Sequence, residues 1–253
     1  MWGEDPEWLG GEAGHASGLE VAHCCQPSGD SGVGGDWCDI IALPGGRTAL
    51  IVGDAMGHGP EAAAVMVQLA GAARALAALD LPPREVLRRL DKRAAEMASW
   101  SFATCVYAVL DPATDSCVIA RAGHHPPLLV LSCGTTQVLD LPPGLPLAAE
   151  TGDEPSEFDE ARVNVPPGAT LAFYTDGLVE SRSGPLDAGM AALRDALGSA
   201  LARPGATLDG TCSEVADTLG YRDREDDVTL VLARARGRRR PLSRPAGRDN
   251  PAP

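Results

Sequence analysis

The stretch ALIVGDAMGHGPEAAAVM, residues 49–66, contains the transition on which the fold depends. Its first part is apolar and β-branched, as is typical of a buried strand, and the strand ends in a glycine-rich turn that contains Asp54. From Glu61 to Leu79 the chain is rich in alanine and leucine and has no proline, which predicts a helix. A buried strand therefore leads through a tight turn directly into a helix.

Upstream of this stretch, the sequence predicts two more strands. Short apolar runs at 19–25, 37–43 and 48–53 are separated by PSGDSGVGG and PGG, which supply turn residues, and the last two runs should form a hairpin. Residues 1–18 are rich in glycine and acids and show no clear period. We expect them to be a poorly ordered lead-in.

Downstream of this stretch, helices and strands come in separate blocks. A second helical stretch, Arg84–Ser99, should pack against the first, and strand-like runs at 103–110, 116–121 and 127–131 suggest a second sheet region. The remaining segments are a proline-rich crossing at 142–160, a strand within TLAFYTDGLVE (170–180), helical stretches near 186–202 and 207–219, and a last strand, DVTLVLARA (227–235). The arginine- and proline-rich residues 236–253 have the composition of a disordered tail.

This arrangement favours one α+β domain over residues 19–235, because strict βαβ alternation is absent. Two antiparallel sheets packed face to face, with helices covering the outside, would use every segment. The ends of the two sheets would then converge.

The charge distribution argues against nucleic acid or membrane as a partner. The net charge is −14, yet residues 234–253 hold seven arginines against one acid, so this segment carries +6 and the rest about −20. A body this acidic repels phosphate backbones and anionic lipids, so a protein ligand or a metal fits better. The sequence has neither a long uninterrupted apolar run nor the basic start of a signal peptide, and we therefore expect a cytoplasmic protein.

The cysteines do not suggest a metal site or a disulfide framework. Seven of them, an odd number, lie at positions 24, 25, 38, 105, 117, 133 and 212, without a CxxC pair. We interpret them as reduced and mostly buried thiols.

Four aspartates stand out because each lies at the end of an apolar strand, and the first three are also beside glycine: Asp36, Asp54, Asp176 and Asp226. Mg²⁺ and Mn²⁺ prefer carboxylate, carbonyl and water oxygens, and glycine lets backbone approach an ion closely. An aspartate next to glycine is usually a turn or cap residue, and any one of the four taken alone favours that interpretation. Four carboxylates gathered together would repel one another, and a bound cation resolves that conflict.

Two neighbouring aspartates receive a different interpretation. Side chains alternate along a strand, so Asp39 and Asp227 should point away from the face used by Asp36 and Asp226. We expect Asp39 to be structural and Asp227 to support the site through hydrogen bonds.

The order and content of six motifs resemble the PPM family of metal-dependent serine/threonine phosphatases, in its bacterial SpoIIE/RsbU-like branch. The motifs are VGGDWCD, ALIVGDAMGHGPEAAAVM, FATCVYAVLD, RAGHHPPLL, LAFYTDGLVE and DDVTLVLAR, and the resemblance covers the chain from about residue 19 to residue 234. The resemblance implies an αββα sandwich with two Mn²⁺ or Mg²⁺ ions at one end.

The resemblance also implies a role for each site residue. Asp54 would bridge both metals, and the backbone carbonyl of Ala55 would complete one coordination shell. Asp176 and Asp226 would bind one metal, and Asp36 would reach the metals directly or through water. Water activated by the two ions would hydrolyse the phosphate ester without a covalent intermediate.

The histidines and Cys38 are less certain participants. His58 is a candidate general acid because imidazole titrates near neutral pH, but its place between two glycines suits a turn residue equally. His124 and His125 should brace a turn beneath the site. Cys38 stands where the family often has tyrosine, and a catalytic thiol there is not expected.

The function implied is hydrolysis of phosphoserine or phosphothreonine on a partner protein, with a phosphorylated STAS-domain anti-sigma-factor antagonist as the family-implied substrate. The two helices after residue 59 resemble a switch on which a separate activator protein would act. The alternatives are a catalytically weak scaffold that binds such a partner and a hydrolase of small phosphate esters. Nucleotide chemistry is disfavoured, because the chain lacks a P-loop and its single lysine is Lys92.

Overall fold

The computed structural model describes residues 18–27, 34–57, 59–97, 102–149, 156–180, 185–220 and 226–236. Its strands are β1 (Leu19–Gln26), β2 (Asp36–Ala42), β3 (Thr48–Ala55), β4 (Ala103–Asp111), β5 (Ser116–Ala122), β6 (Leu128–Val130), β7 (Thr136–Val138), β8 (Glu160–Asn164), β9 (Thr170–Tyr174) and β10 (Val228–Ala235). Its α-helices are α1 (Pro60–Ala77), α2 (Pro83–Ala95), α3 (Leu186–Leu201) and α4 (Leu208–Thr218).

The strands form two antiparallel five-stranded sheets. Sheet one has the order β1-β10-β9-β6-β7, and sheet two has the order β2-β3-β4-β5-β8. Helices α3 and α4 cover the outer face of sheet one, and α1 and α2 cover the outer face of sheet two. The αββα sandwich expected from the sequence is therefore confirmed.

Strand β3 illustrates why the sequences of the central strands are continuously apolar. Leu50 and Val52 face sheet one across the middle of the sandwich, whereas Ile51 packs under α1 and α2 with Leu69. Both faces of the strand are covered, so no position along most of it favours a polar side chain. Burial of both faces supplies the main driving force for this packing.

A close contact locks the β2–β3 hairpin near its open end. Trp37 is buried and lies directly over its cross-strand partner Gly53. A Cβ atom at Gly53 would lie 2.3 Å from the Trp37 ring, so only glycine fits beneath the indole.

The expected second sheet region over 103–131 is wrong in part. Strands β4 and β5 extend sheet two beside β3, and β6 alone joins sheet one. Helices α1 and α2 connect β3 to β4, and β4 pairs with β3 in the same sheet. Two helices between consecutive strands therefore did not indicate that the next strand belongs to another sheet. The two strands that the sequence did not indicate, β7 and β8, are short and mostly half-buried or exposed, and they lie at sheet edges.

All seven cysteines have free thiols in the structure, and only three of them are buried, fewer than expected from the sequence. Cys105, Cys117 and Cys212 are buried, Cys133 is exposed, and the others are half-buried. Within the part of the chain that the structure describes, no helix is long and apolar enough to cross a membrane.

Candidate metal centre

Asp36 and Asp54 lie side by side at one end of sheet two. They are directly opposed partners in the antiparallel β2–β3 pair, so their side chains project from the same face. In β3 this is also the face of Val52, which packs between the two sheets. The two carboxylates therefore extend the inner face of the sandwich at its end, and Asp36 is only 8% exposed.

Asp176 and Asp226 reach the same end from sheet one. Asp176 begins the short 3₁₀ turn that follows β9, and Asp226 lies two residues before β10, the neighbour of β9. Burial and the charges of Asp176, Asp226 and Asp227 raise the pKa of Asp54 to about 7. The influence of these charges shows that carboxylates from both sheets converge on Asp54.

Thr175 connects Asp36 to the opposite sheet. Its hydroxyl donates a 2.7 Å hydrogen bond to Oδ2 of Asp36 and accepts one of 2.9 Å from the backbone N–H of Thr229. Burial, and then the charge of Asp54, raises the pKa of Asp36 well above its ordinary value. Asp36 is thus fixed in orientation, although its ionised form is disfavoured.

The glycine pair before Asp36 allows two close approaches, one to Asp227 beside β10 and one to the neighbouring strand β3. The backbone N–H of Gly35 donates a 2.6 Å hydrogen bond to Asp227, so Asp227 supports this loop as expected. A Cβ atom at Gly34 would lie 2.0 Å from the Asp227 carboxylate, and one at Gly35 would lie 2.2 Å from the carbonyl oxygen of Ala55. Any larger residue in this pair would push apart the groups that surround the site.

His124 braces the two sheets beside these carboxylates. It is 2% exposed, and its Nδ1 lies 2.7 Å from the hydroxyl of Thr104, the cross-strand partner of Asp54. Its Nε2 lies 3.1 Å from the carbonyl of Tyr174, which can only accept, so Nε2 carries the proton. Burial lowers the pKa of His124 to about 3, and the ring is neutral at physiological pH.

His125 lies at the outer edge of the same turn. Its ring stacks on Tyr174 with centroids 5.9 Å apart, and its Nε2 lies 3.8 Å from a carboxylate oxygen of Glu180. Arg121 holds the turn from below, because its guanidinium donates to the carbonyls of His124, Leu141 and Pro142. Both histidines of the GHHPP segment thus belong to a bracing structure.

The donor set suits hydrated Mg²⁺ or Mn²⁺. No three histidine, cysteine or acidic side chains within the described ranges form a group that could hold a metal ion as they stand. Mg²⁺, however, commonly takes only one or two carboxylates and keeps several waters. The charges that raise the pKa of Asp54 are all carboxylates, so a cation would relieve a repulsion that the folded protein retains.

The structure thus brings Asp36, Asp54, Asp176 and Asp226 to one end of the sandwich, with the Ala55 carbonyl against Gly35. Asp39 lies on the outer face of β2 and forms an ion pair with Arg74 of α1. His58, the candidate general acid, falls outside the described residues. Sequence reasoning did not single out Thr175, although alternation along β9 places it on the same inner face as Phe173.

Comparison with known proteins points to one family. The family model described as Stage II sporulation protein E (SpoIIE) matches residues 44–236. The structure of the RsbU and RsbW domains of Rv1364c from Mycobacterium tuberculosis is 33% identical, with a TM-score of 0.78 over 87% of this chain. The alignment covers 60% of that mycobacterial chain, so this chain spans only part of its relative's length.

Two more distant structures share the fold. RsbX in complex with magnesium is 15% identical, with a TM-score of 0.67 over 87% of this chain and 96% of RsbX. The phosphatase domain of SpoIIE from Bacillus subtilis, solved with a fragment of its regulatory domain, is 14% identical, with a TM-score of 0.69 over 86% of this chain and 63% of that chain.

Proposed function

The chain belongs to the SpoIIE family of PPM-type metal-dependent protein phosphatases, and from this premise we propose that it hydrolyses phosphoserine or phosphothreonine on a protein that regulates a sigma factor. The observation that carries the proposal is the convergence of four aspartates from two sheets on one end of the sandwich, where burial raises the pKa of Asp36, Asp54 and Asp176. Such a set is unfavourable when empty and becomes favourable around divalent cations.

The residues that would hold two Mn²⁺ or Mg²⁺ ions are those at the converging ends. Asp54 would contact both ions, Asp176 and Asp226 one of them, and the Ala55 carbonyl would complete a shell. Asp36 would act directly or through a water. Bound there, the ions would lower the pKa of a water and orient the phosphoryl oxygens for in-line attack.

The surrounding residues hold this set in position. Thr175 orients Asp36 and joins it to β10 through Thr229. Neutral His124 ties Thr104, beside Asp54, to the end of β9, just before Asp176. Precise placement of carboxylates matters because small displacements of reacting groups cost large factors in rate.

We further propose a phosphorylated STAS-domain anti-sigma-factor antagonist as the substrate and a separate protein as the activator. The support is the likeness to a mycobacterial protein that has both RsbU and RsbW domains. We place the reaction in the cytoplasm, where seven free thiols remain reduced.

The test is phosphate release from a panel of phosphorylated STAS-domain proteins, with and without Mn²⁺. The wild type should release phosphate only with the metal, and Asp54→Asn should not. The matched control is Asp195→Asn, the same change at an exposed position on α3. Binding of a panel member without turnover would favour the scaffold, and turnover of p-nitrophenyl phosphate alone would favour a small-ester hydrolase.

A further inference from the structure

Two cysteines face each other across the open edge of the sandwich. Cys25 lies in β1, at the edge of sheet one, and Cys38 lies in β2, at the edge of sheet two. Their Sγ atoms are 3.8 Å apart, and both side chains are half-buried. The two thiols are therefore close enough to react with each other and exposed enough to meet a small oxidant.

The cysteine pair lies next to the residues that hold Asp36 in place. Cys25 is the cross-strand partner of Thr229, and Cys38 is two residues from Asp36 in the same strand. The hydroxyl of Thr175 hydrogen-bonds to both Asp36 and the N–H of Thr229. A change in the spacing of Cys25 and Cys38 is thus transmitted to Asp36 through one short strand and one hydroxyl.

We propose that Cys25 and Cys38 are a reversible oxidation site, at which a peroxide joins the two sheets through a disulfide and thereby lowers turnover. The Cys25 thiolate attacks hydrogen peroxide, the O–O bond breaks, and a sulfenic acid and water form. The Cys38 sulfur then attacks that sulfenic sulfur, the S–S bond forms, and a second water leaves with the remaining proton. Two thiols lose two electrons and peroxide is reduced to two waters.

The chemistry of the pair suits these roles. The hydrogen bond from Cys38 lowers the pKa of the Cys25 thiol, and the thiolate is the nucleophilic form. A small dithiol would reverse the reaction by thiol–disulfide exchange, because both sulfurs are half-buried.

The expected consequence follows from distance. A disulfide has an S–S length of about 2.05 Å, so the sulfurs must approach by about 1.8 Å from their present 3.8 Å. We expect β2 to take up part of this movement and to shift Asp36 with it, so turnover should fall about tenfold or more. This fall rests on the proposed phosphatase function, whereas formation of the disulfide does not.

The experiment uses the full chain, freshly reduced and then exposed to a hydrogen peroxide series before alkylation. Cleavage before aspartates places Cys38 in fragment 36–38 and Cys25 in a fragment that ends at residue 29, so mass spectrometry detects the link. Cys25→Ser and Cys38→Ser remove the pair. Cys24→Ser is the matched control, since Cys24 is adjacent but its Sγ faces the carbonyl of Cys212 under α4.

The wild type and Cys24→Ser should form the link at peroxide doses that oxidise exposed Cys133, lose turnover in proportion to it, and recover both with dithiothreitol. Cys25→Ser and Cys38→Ser should keep their turnover at the same doses. Absence of the link at those doses would overturn the site. A link without loss of turnover, or equal inactivation of the serine variants, would overturn its effect on catalysis. If no phosphatase activity is found in any variant, the mass measurement still decides whether the oxidation site exists.

Discussion

Both burial and neighbouring negative charges raise the pKa of Asp54. Its pKa in the metal-free protein is raised to about 7, with burial as the largest cause. The folded state therefore binds a proton that the unfolded state has already released between about pH 4 and pH 7. Protonated Asp54 therefore contributes fully to the free energy of unfolding below its pKa in the unfolded chain. This contribution is lost as the pH rises through the pKa of Asp54 in the folded protein.

This sign leads to a prediction for the protein in EDTA. Asp54→Asn removes the titrating group, so the stability difference between wild type and variant should depend on pH. The free energy of unfolding of the wild type, measured relative to that of Asp54→Asn, should be lower at pH 7.5 than at pH 4.5 by a few kcal/mol. Urea unfolding at both pH values measures this difference, and a pH-independent difference would show that Asp54 is ionised without metal.

The four aspartates should also differ in how they respond to added metal. Asp54→Asn removes one negative charge from a position assigned to both ions and should leave little turnover at any Mn²⁺ concentration. Asp176→Asn and Asp226→Asn each weaken one ion's site, so raised Mn²⁺ should restore part of their activity by mass action. A Mn²⁺ titration of phosphate release distinguishes these cases, with Asp195→Asn as the unaffected control.

Substitution of Asp39 should affect the stability of the protein but not its turnover. It faces away from the site and forms a two-point contact with the Arg74 guanidinium on α1. Asp39→Asn should keep turnover within a few-fold of wild type but lower the free energy of unfolding by about 1 kcal/mol, because a half-exposed ion pair contributes little more. Loss of turnover in a folded Asp39→Asn protein would contradict the assignment of faces in β2.

Among the structural elements, the junction of β4, β9 and the GHHPP segment depends on His124. His124→Leu would leave the Thr104 hydroxyl and the Tyr174 carbonyl unsatisfied in a dry environment, so we expect a loss of about 2–4 kcal/mol of stability. Thermal or urea unfolding measures this loss. Since neither the Thr104 hydroxyl nor the Tyr174 carbonyl is assigned to an ion, Mn²⁺ should still stabilise the His124→Leu variant. A variant that no longer responds to Mn²⁺ would instead make His124 part of the metal site.

The elements also show what sequence patterns can and cannot predict. Long apolar segments such as β3, β4 and β10 were evident, and so were α1 and α2, because their burial imposes a composition. The short edge strands β7 and β8 were missed because half of their surface meets solvent and needs no apolar pattern. The sheet to which β4 belongs could not be read from order alone, since two helices intervene between β3 and β4 while the strands remain neighbours. Thr175 was overlooked because its role depends on Asp36, a residue 139 positions away.

For the whole molecule, metal binding and stability should be linked. The assigned ligands come from both sheets, so a bound ion would connect the two halves of the sandwich. EDTA should abolish turnover and lower the melting temperature together, and Mn²⁺ should restore both, with about 2.7 kcal/mol of stabilisation at a hundredfold excess over the dissociation constant. Full turnover in a preparation shown to be free of metal would rule out the two-ion assignment.

The position of β10 in sheet one has a consequence for how the protein is made. Among the described strands β10 comes last along the chain, yet it lies between β1, which comes first, and β9, and Asp226 lies two residues before it. During translation, sheet two can form while sheet one still lacks the strand that joins its two halves. Until β10 is made, Asp36 and Asp54 of sheet two therefore lack Asp226 as a partner, and we expect catalytic competence only after β10 has left the ribosome. Because Asp226 is assigned to the metal site, we expect a chain that ends before residue 226 to be inactive.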